Sequence, residues 1–167
     1  EKSNWFFENV IATADKPLGD RKVSFLFATP QQDGGQWDML CGIIEKYGIV
    51  PKSVYPETAN SNNSSALNDT LNTLLRKDGL ELRKLVNDGK SEDEVQARKE
   101  EMLNDVFRVL SISLGVPPTK FNFEYRDDDK NYRIDKDITP KEFFDKYVGM
   151  DLENHISTIN APTSDKP

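Results

Sequence analysis

The chain has 167 residues, 36% of them hydrophobic and 31% charged, a balance typical of folded globular protein rather than of a disordered tail. It carries 22 basic and 29 acidic side chains, with a formal net charge of -7, so nucleic acid is disfavoured as a partner. Its single cysteine cannot form an internal disulfide and fits a reducing compartment such as the cytoplasm. No apolar run approaches the length of a membrane span.

Three helices are predicted before residue 50. The first covers 1–14, the second begins after the capping residue Asp20 and ends at Pro30, and the third runs from Trp37 to about Gly48. Apolar residues at helical spacing carry these predictions: Trp5, Phe6, Val10 and Ile11, then Val23, Phe25, Leu26 and Phe27, then Trp37, Leu40, Cys41 and Ile44. Met39 and Ile43 lie on another face of the third helix, which predicts burial on most sides.

The middle of the chain predicts a helical hairpin. Prolines make 49–56 extended, and the polar stretch 60–65 is predicted as a surface loop. Leucines over 67–86 indicate one long helix or two short ones, with Gly79 as the weak point. A capping-box pattern at Ser91 and Glu94 opens a further helix that runs to Gly115, antiparallel to the one before it.

The character changes after residue 120. Alternating apolar residues over 121–125 and 132–134 predict a β-hairpin. Thr139 and Pro140 open another helix, and 156–159 is predicted as a short strand. The charged turn at 127–131 imitates the start of a calcium loop but lacks its glycine and closing glutamate, so a solvated hairpin turn is the better interpretation. The fold class is α+β and mostly helical, with a small antiparallel β-hairpin.

One stretch carries a functional signal. The residues Asp33-Gly34-Gly35-Gln36-Trp37-Asp38 precede a helix, Tyr47-Gly48-Ile49 follows it, and Tyr55-Pro56 comes next. This order and spacing resemble the segment that forms one wall of the papain cleft, and most closely the bleomycin hydrolase or aminopeptidase C branch of the papain-like cysteine peptidases. The helical insertion after Tyr55-Pro56 and the closing stretch 159–167 resemble the same branch, so the likeness covers nearly the whole chain.

The resemblance implies a division of the chain into three segments. Residues 1–58 would be a cleft-wall segment of the papain-like core, 59–118 a helical hairpin insertion, and 119–167 a β-hairpin, helix and terminal strand or loop. The implied substrate-binding residues are Asp33, Gly34, Gly35, Gln36 and Trp37. In the family the second glycine pairs its backbone with the extended substrate, the first shapes the turn, and the tryptophan lines an apolar pocket. The family more often has asparagine where this chain has Asp33.

The resemblance also implies what the parent protein does. It would be a cytoplasmic cysteine aminopeptidase that acts on peptides, assembles as a homohexamer, stays off membranes and needs no metal or organic cofactor. No catalytic residue is expected in this chain, because the family's cysteine context lies upstream and its histidine and asparagine lie downstream. The chain begins inside a helical pattern and ends in the polar stretch 160–167, which indicates an excised segment.

Two other interpretations remain open. Cys41 and His155, the only cysteine and histidine, occur in the chain order of a catalytic pair. Cys41 lies mid-helix on an apolar face, however, where a structural thiol is expected, and His155 is expected to be solvated. The other interpretation is that the chain is a non-catalytic helical module that binds peptides or other proteins.

Overall fold

A computed structural model of the chain describes residues 1–152 and 154. The fold is mostly helical with one two-stranded antiparallel sheet, as predicted. The predicted strand at 156–159 and His155 lie outside the described residues. The elements are α1 (Lys2–Ala12), α2 (Arg21–Ala28), α3 (Trp37–Tyr47), α4 (Ala59–Asn62), α5 (Ser65–Asn87), α6 (Glu92–Leu114), β1 (Phe121–Arg126), β2 (Tyr132–Ile138), α7 (Pro140–Phe143) and a π-helix (Phe144–Val148).

The elements form two compact units. The first combines Glu1–Gly34 with Pro56–Pro117 and contains α1, α2, α4, α5 and α6. The second combines Gly35–Tyr55 with Pro118–Pro167 and contains α3, the sheet, α7 and the π-helix. The three-segment division expected from the sequence stays a prediction.

The core of the first unit is built where α1, α5 and α6 meet. The contiguous cluster of buried apolar side chains consists of Phe6, Phe7, Val10, Leu26, Leu67, Leu71, Leu75, Leu82, Val95, Met102 and Val106. The predicted face of α1 is one residue out of phase, because Trp5 is 58% exposed while Phe7 is fully buried. Residues i, i+1 and i+4 share a helix face, so burial of Phe6, Phe7 and Val10 turns Trp5 toward solvent. Phe25 on α2 is also exposed.

Helix α5 is one continuous helix of 23 residues that runs through Gly79. A Cβ atom at Gly79 would lie 3.1 Å from the ring of Phe6 and 3.2 Å from the ring of Phe27. The glycine therefore lets two aromatic rings approach the helix backbone, and the predicted weak point is a packing contact.

The predicted helical hairpin is confirmed. Ser91 and Glu94 form the capping box that opens α6, and Arg98 on α6 pairs with Glu81 on α5 at 2.7 Å. The loop predicted at 60–65 is wrong over its first part, because Thr58 caps the short helix α4 through a reciprocal box with Ser61. A serine three residues after the cap serves as well as the glutamate that the pattern requires.

The second unit packs the β-hairpin against α7 and the π-helix. Strands β1 and β2 are antiparallel, with Phe123 opposite Asp135, and the register shifts between Phe121 and Phe123. Its apolar core cluster consists of the buried residues Phe121, Ile138 and Phe143, with Ile49, Val50, Val54, Phe123 and Tyr147 packed around them. The stretch 49–56 contains no helix, as predicted, although Val54 closes a turn onto Pro51 at 2.9 Å.

Helix α3 begins and ends as predicted, but its predicted burial is wrong. Cys41 is its only buried residue, while Met39, Leu40 and Ile43 are each about half exposed. Within the second unit α3 packs against α7, which touches one side of the helix and leaves its other apolar face open. Over residues 1–152 and 154, no helix is long and apolar enough to cross a membrane.

The close packing at Gly79 gives a stability prediction. Gly79→Val places two methyl groups against Phe6 and Phe27, so we expect the free energy of unfolding to fall by about 1–3 kcal/mol in urea denaturation. Thr73→Val introduces the same side chain on the exposed face of α5 and should change it by less than about 0.5 kcal/mol. Equal effects of the two variants would contradict this account of Gly79.

A buried carboxyl on α5 gives a pH prediction. Asp78 is 2% exposed, its Oδ2 has no hydrogen-bond partner among the described residues, and Lys77 lies 3.7 Å from its Oδ1. Burial raises the pKa of Asp78 above 3.8, against the opposing charge of Lys77. The folded state therefore holds this proton more tightly than the unfolded state, and stability is lost as pH rises through the folded pKa.

Asp78→Asn removes this titration. The free energy of unfolding of the variant, measured relative to the original chain, should therefore rise with pH above about 4. Below the unfolded value of 3.8 both side chains are neutral and the difference should be smallest. A difference that stays constant from pH 3 to pH 7 would show that Asp78 does not titrate differently on folding.

Candidate site at the glycine turn

The Asp33–Trp37 motif lies in an irregular, exposed segment between α2 and α3. Gln31 is half-buried, and every residue from Gln32 to Leu40 is exposed. The five predicted site residues stay consecutive, but the boundary between the two compact units falls inside them. Asp33 and Gly34 belong to the first unit, whereas Gly35, Gln36 and Trp37 belong to the second.

Helix α1 holds the first half of the turn from one side. The Lys2 ammonium donates to the carbonyl oxygen of Gln32 at 2.7 Å and also to the carbonyl oxygen of Gly34. The Ser3 hydroxyl donates to Oε1 of Gln31 at 2.6 Å. Two backbone carbonyls that the turn leaves without helical partners are thereby satisfied by one side chain.

Helix α5 holds the same segment from another side. The backbone N–H of Gln31 donates to Oδ1 of Asn72 at 2.9 Å, and Nδ2 of Asn72 donates back to the Gln31 carbonyl at 3.0 Å. Arg76 donates to the carbonyl oxygens of Phe27 at 2.9 Å and Ala28 at 2.7 Å. These hydrogen bonds satisfy backbone polar groups at the end of α2 and at the start of the irregular segment.

Asp33 is fixed by its side chain. The Ser64 hydroxyl, at the N-terminus of α5, donates to Oδ2 of Asp33, and Asn68 donates to that hydroxyl oxygen at 3.2 Å. The hydrogen bond from Ser64, with a smaller contribution from Asn68, holds the pKa of Asp33 below its ordinary value. The carboxylate is therefore ionised at neutral pH and acts as an acceptor.

Neither glycine of the motif is required by the packing of the described residues. A Cβ atom at Gly34 would meet no heavy atom within 4 Å, and one at Gly35 would make an ordinary contact of 3.8 Å with Sδ of Met39. Neither residue has a left-handed φ, in contrast to Gly48 and Gly89. Within residues 1–152 and 154, an alanine could replace either glycine without strain.

The last two residues of the motif begin α3. Gln36 is the N-cap and makes no side-chain capping hydrogen bond, and Trp37 is the first helical residue, with its side chain 41% exposed. The indole therefore presents a large apolar face at the start of the helix.

A shallow groove of about 460 Å³ runs beside the first half of the turn. Its walls include the exposed rings of Trp5 and Phe25, and its floor includes Pro30, Gln31 and Gly34. The groove was not predicted from the sequence, in which Trp5 and Phe25 were counted only as apolar residues at helical spacing.

Cys41 has the environment of a structural thiol. It is 8% exposed in the middle of α3, and burial raises its pKa, with further contributions from the carboxylates of Glu45 and Asp38. A raised pKa disfavours the thiolate, which is the nucleophilic form. Its proposed partner His155 lies outside the described residues.

The charged hairpin turn at 127–131 is closed by its own hydrogen bonds. The N–H of Asp127 donates to the carbonyl of Asn131 at 3.0 Å, and Arg133 donates to Oδ2 of Asp127 at 2.9 Å. In the part of the chain that the structure describes, no group of three or more histidine, cysteine, aspartate or glutamate residues could hold a metal ion.

Sequence reasoning missed the side chains that hold the turn. They are Lys2, Ser3, Ser64, Asn68, Asn72 and Arg76. The last four follow one another at intervals of four residues, which is a polar stripe on one side of a helix whose leucines face the core. This four-residue periodicity is the signal from which the sequence could have identified these four residues.

The chain belongs to the Peptidase C1-like family, which it matches over residues 1–167. It is 92% identical over 167 residues to the aminopeptidase C of Lactobacillus helveticus and 59% identical to that of Streptococcus thermophilus. It is 44% identical over 162 residues to the aminopeptidase W of Lactobacillus delbrueckii subsp. lactis. The matches cover 100%, 100% and 97% of this chain but 37%, 38% and 37% of those relatives.

The fold has a counterpart among solved structures. The crystal structure of PepW from Lactobacillus rhamnosis HN001 superposes with a TM-score of 0.91 at 63% sequence identity. The match covers 99% of this chain and 37% of that one. The resemblance expected from the glycine motif is confirmed at the level of the family.

The environment of Cys41 gives a reactivity prediction. We expect its thiol to react with iodoacetamide at pH 8 at least about tenfold more slowly than in the chain unfolded by urea, because burial restricts access and disfavours the thiolate. Mass spectrometry of quenched samples measures the rate. Reaction in the folded chain as fast as in the unfolded chain would contradict a structural role.

Proposed function

We propose that this chain is part of a cytoplasmic cysteine aminopeptidase that removes residues from the N-termini of peptides. Membership of the Peptidase C1-like family and relatives named aminopeptidase C and aminopeptidase W support this activity for the parent protein. The lone cysteine supports a reducing compartment.

The nucleophile of this reaction lies outside the chain. The thiolate attacks the carbonyl carbon of the substrate's N-terminal residue, the peptide amine leaves, and water hydrolyses the thioester that remains. Cys41 is a poor candidate for that thiolate, because it is buried and its pKa is raised by its surroundings. The chain alone is therefore inactive, and its contribution is substrate binding.

The observation that carries the proposed role is the open surroundings of the two glycines. The packing of residues 1–152 and 154 requires glycine at neither Gly34 nor Gly35, and both residues are exposed. Because neither residue carries a side chain and no neighbouring atom crowds it, an extended backbone from outside can approach both closely. We propose that an extended peptide pairs with the N–H and C=O groups of Gly35, as an added β-strand would.

The neighbouring residues have supporting roles in this proposal. Gly34 and the ionised Asp33 shape the turn, Gln36 lies beside the bound peptide, and Trp37 provides an apolar wall for a substrate side chain. The open apolar face of α3, with Met39, Leu40 and Ile43, is covered by other parts of the parent protein.

The proposed partners are peptides and further copies of the parent protein, in a homohexamer. Nucleic acid is disfavoured by the net charge of -7, and no membrane association, metal or organic cofactor enters the proposal.

Gly35→Ala in the full-length enzyme tests the site. The added methyl group fits against Met39 at ordinary contact distance but occupies space that the substrate backbone would need. We expect KM for a fluorogenic aminoacyl amide extended to a short peptide to rise about tenfold or more, which corresponds to the loss of one or two backbone hydrogen bonds.

Gly19→Ala is the matched control. Gly19 is also exposed, and a Cβ atom there would meet no heavy atom within 4 Å, but it lies outside the motif. Its KM should remain that of the original enzyme. An unchanged KM in Gly35→Ala would show that Gly35 does not bind the substrate backbone.

A further inference from the structure

We propose that α5 and the start of α1 position the substrate-binding turn through one set of hydrogen bonds, which makes their polar residues positioning residues for peptide binding. The inference rests on the proposed function of the turn. The set on α5, here named the polar row, consists of Ser64, Asn68, Asn72 and Arg76.

The polar row has the geometry of a single helix face. Its members are four residues apart, so they lie one above another along α5 and the capping residue before it. All four are half-buried, whereas Asp69, Thr73 and Lys77, each one position further on, are exposed. The row is therefore turned toward protein and not toward solvent.

Three members of the polar row bind successive parts of the segment 27–33, and Asn68 supports the third. Arg76 binds the carbonyls of Phe27 and Ala28, and Asn72 exchanges two hydrogen bonds with the backbone of Gln31. The chain then continues toward the N-terminus of α5, where Ser64 binds Asp33 and is itself held by Asn68. The segment 27–33 thus runs antiparallel to α5, pinned about once per helical turn.

Lys2 adds a contact at the peptide unit that the substrate would use. Lys2 and the polar row together are here named the frame. Its ammonium donates to the carbonyl of Gly34 as well as to that of Gln32. The C=O of Gly34 and the N–H of Gly35 belong to one planar peptide unit. Fixing the direction of that carbonyl therefore fixes the direction of the Gly35 N–H, which is the donor proposed to bind the substrate.

This frame explains how an exposed segment without helix or strand can act as a template for a peptide. A peptide would bind a mobile turn with lower affinity, because binding would then also have to order the turn. Hydrogen bonds from two packed helices order the turn in advance, while its glycines stay open. The helical insertion thereby contributes to the cleft wall and does not merely decorate it.

The test uses the full-length enzyme with three variants of the frame, Asn72→Ala, Arg76→Ala and Lys2→Met. Thr73→Ala is the matched control, because Thr73 lies next to Asn72 on the exposed face and its hydroxyl bonds only within α5. Each protein is compared by steady-state kinetics on a short peptide substrate and by hydrogen–deuterium exchange of the peptide that covers residues 29–36.

For Asn72→Ala we expect KM to rise about tenfold with kcat changed less than about threefold, because a disordered turn loses ground-state and transition-state binding together. Exchange over residues 29–36 should become about tenfold faster or more, while exchange in the middle of α5 stays unchanged. Arg76→Ala and Lys2→Met should act in the same direction, and Thr73→Ala should match the original enzyme in both measurements.

Two results would overturn the inference. Unchanged exchange over 29–36 in all three variants would show that the row does not order the turn. Faster exchange with unchanged KM, in an enzyme whose KM does respond to Gly35→Ala, would show that ordering the turn does not matter for binding. If Gly35→Ala itself leaves KM unchanged, the proposed function of the turn fails, and the inference falls with it.

Discussion

The close approach of Phe6 to the backbone of α5 at Gly79 is the contact on which the first unit depends. A larger residue at position 79 would push α1 away, because the ring lies within 3.1 Å of the missing Cβ. With α1 held at this distance, Lys2 near its start and Asn72 on α5 both reach the segment that leads to the motif. Core packing therefore determines the polar contacts.

Two requirements that usually conflict are met at the glycine turn. A peptide-binding backbone must be ordered, yet its N–H and C=O groups must stay free of internal partners. Here the order comes from side chains that bind the carbonyls of Gln31, Gln32 and Gly34, while Gly35 is uncrowded by the described residues, since even an added Cβ atom would come no closer than 3.8 Å to Met39. The residues that hold the turn are distinct from those proposed to bind substrate.

Local chemistry was predictable from the sequence, and tertiary context was not. Asp20, Ser91 and Thr139 cap helices as predicted, because capping depends on residues three positions apart. The predicted burial of α3 is wrong, and Trp5 is exposed although it belongs to the apolar pattern of α1, since an apolar stripe does not reveal which other surface covers it. The glycine motif identified the family, but the side chains that bind the motif and the segment before it come from positions 28 to 49 residues away.

We propose that this chain binds substrate for a nucleophile that lies elsewhere in the parent protein. The most direct test is hydrolysis of a fluorogenic aminoacyl amide by this chain alone, by the full-length parent protein and by the parent with Cys41→Ala. We expect no turnover by the chain alone, turnover by the parent, and full activity in the parent with Cys41→Ala, because Cys41 is buried and its raised pKa disfavours the thiolate. Turnover by the chain alone, or loss of the parent's turnover on Cys41→Ala, would contradict this proposal.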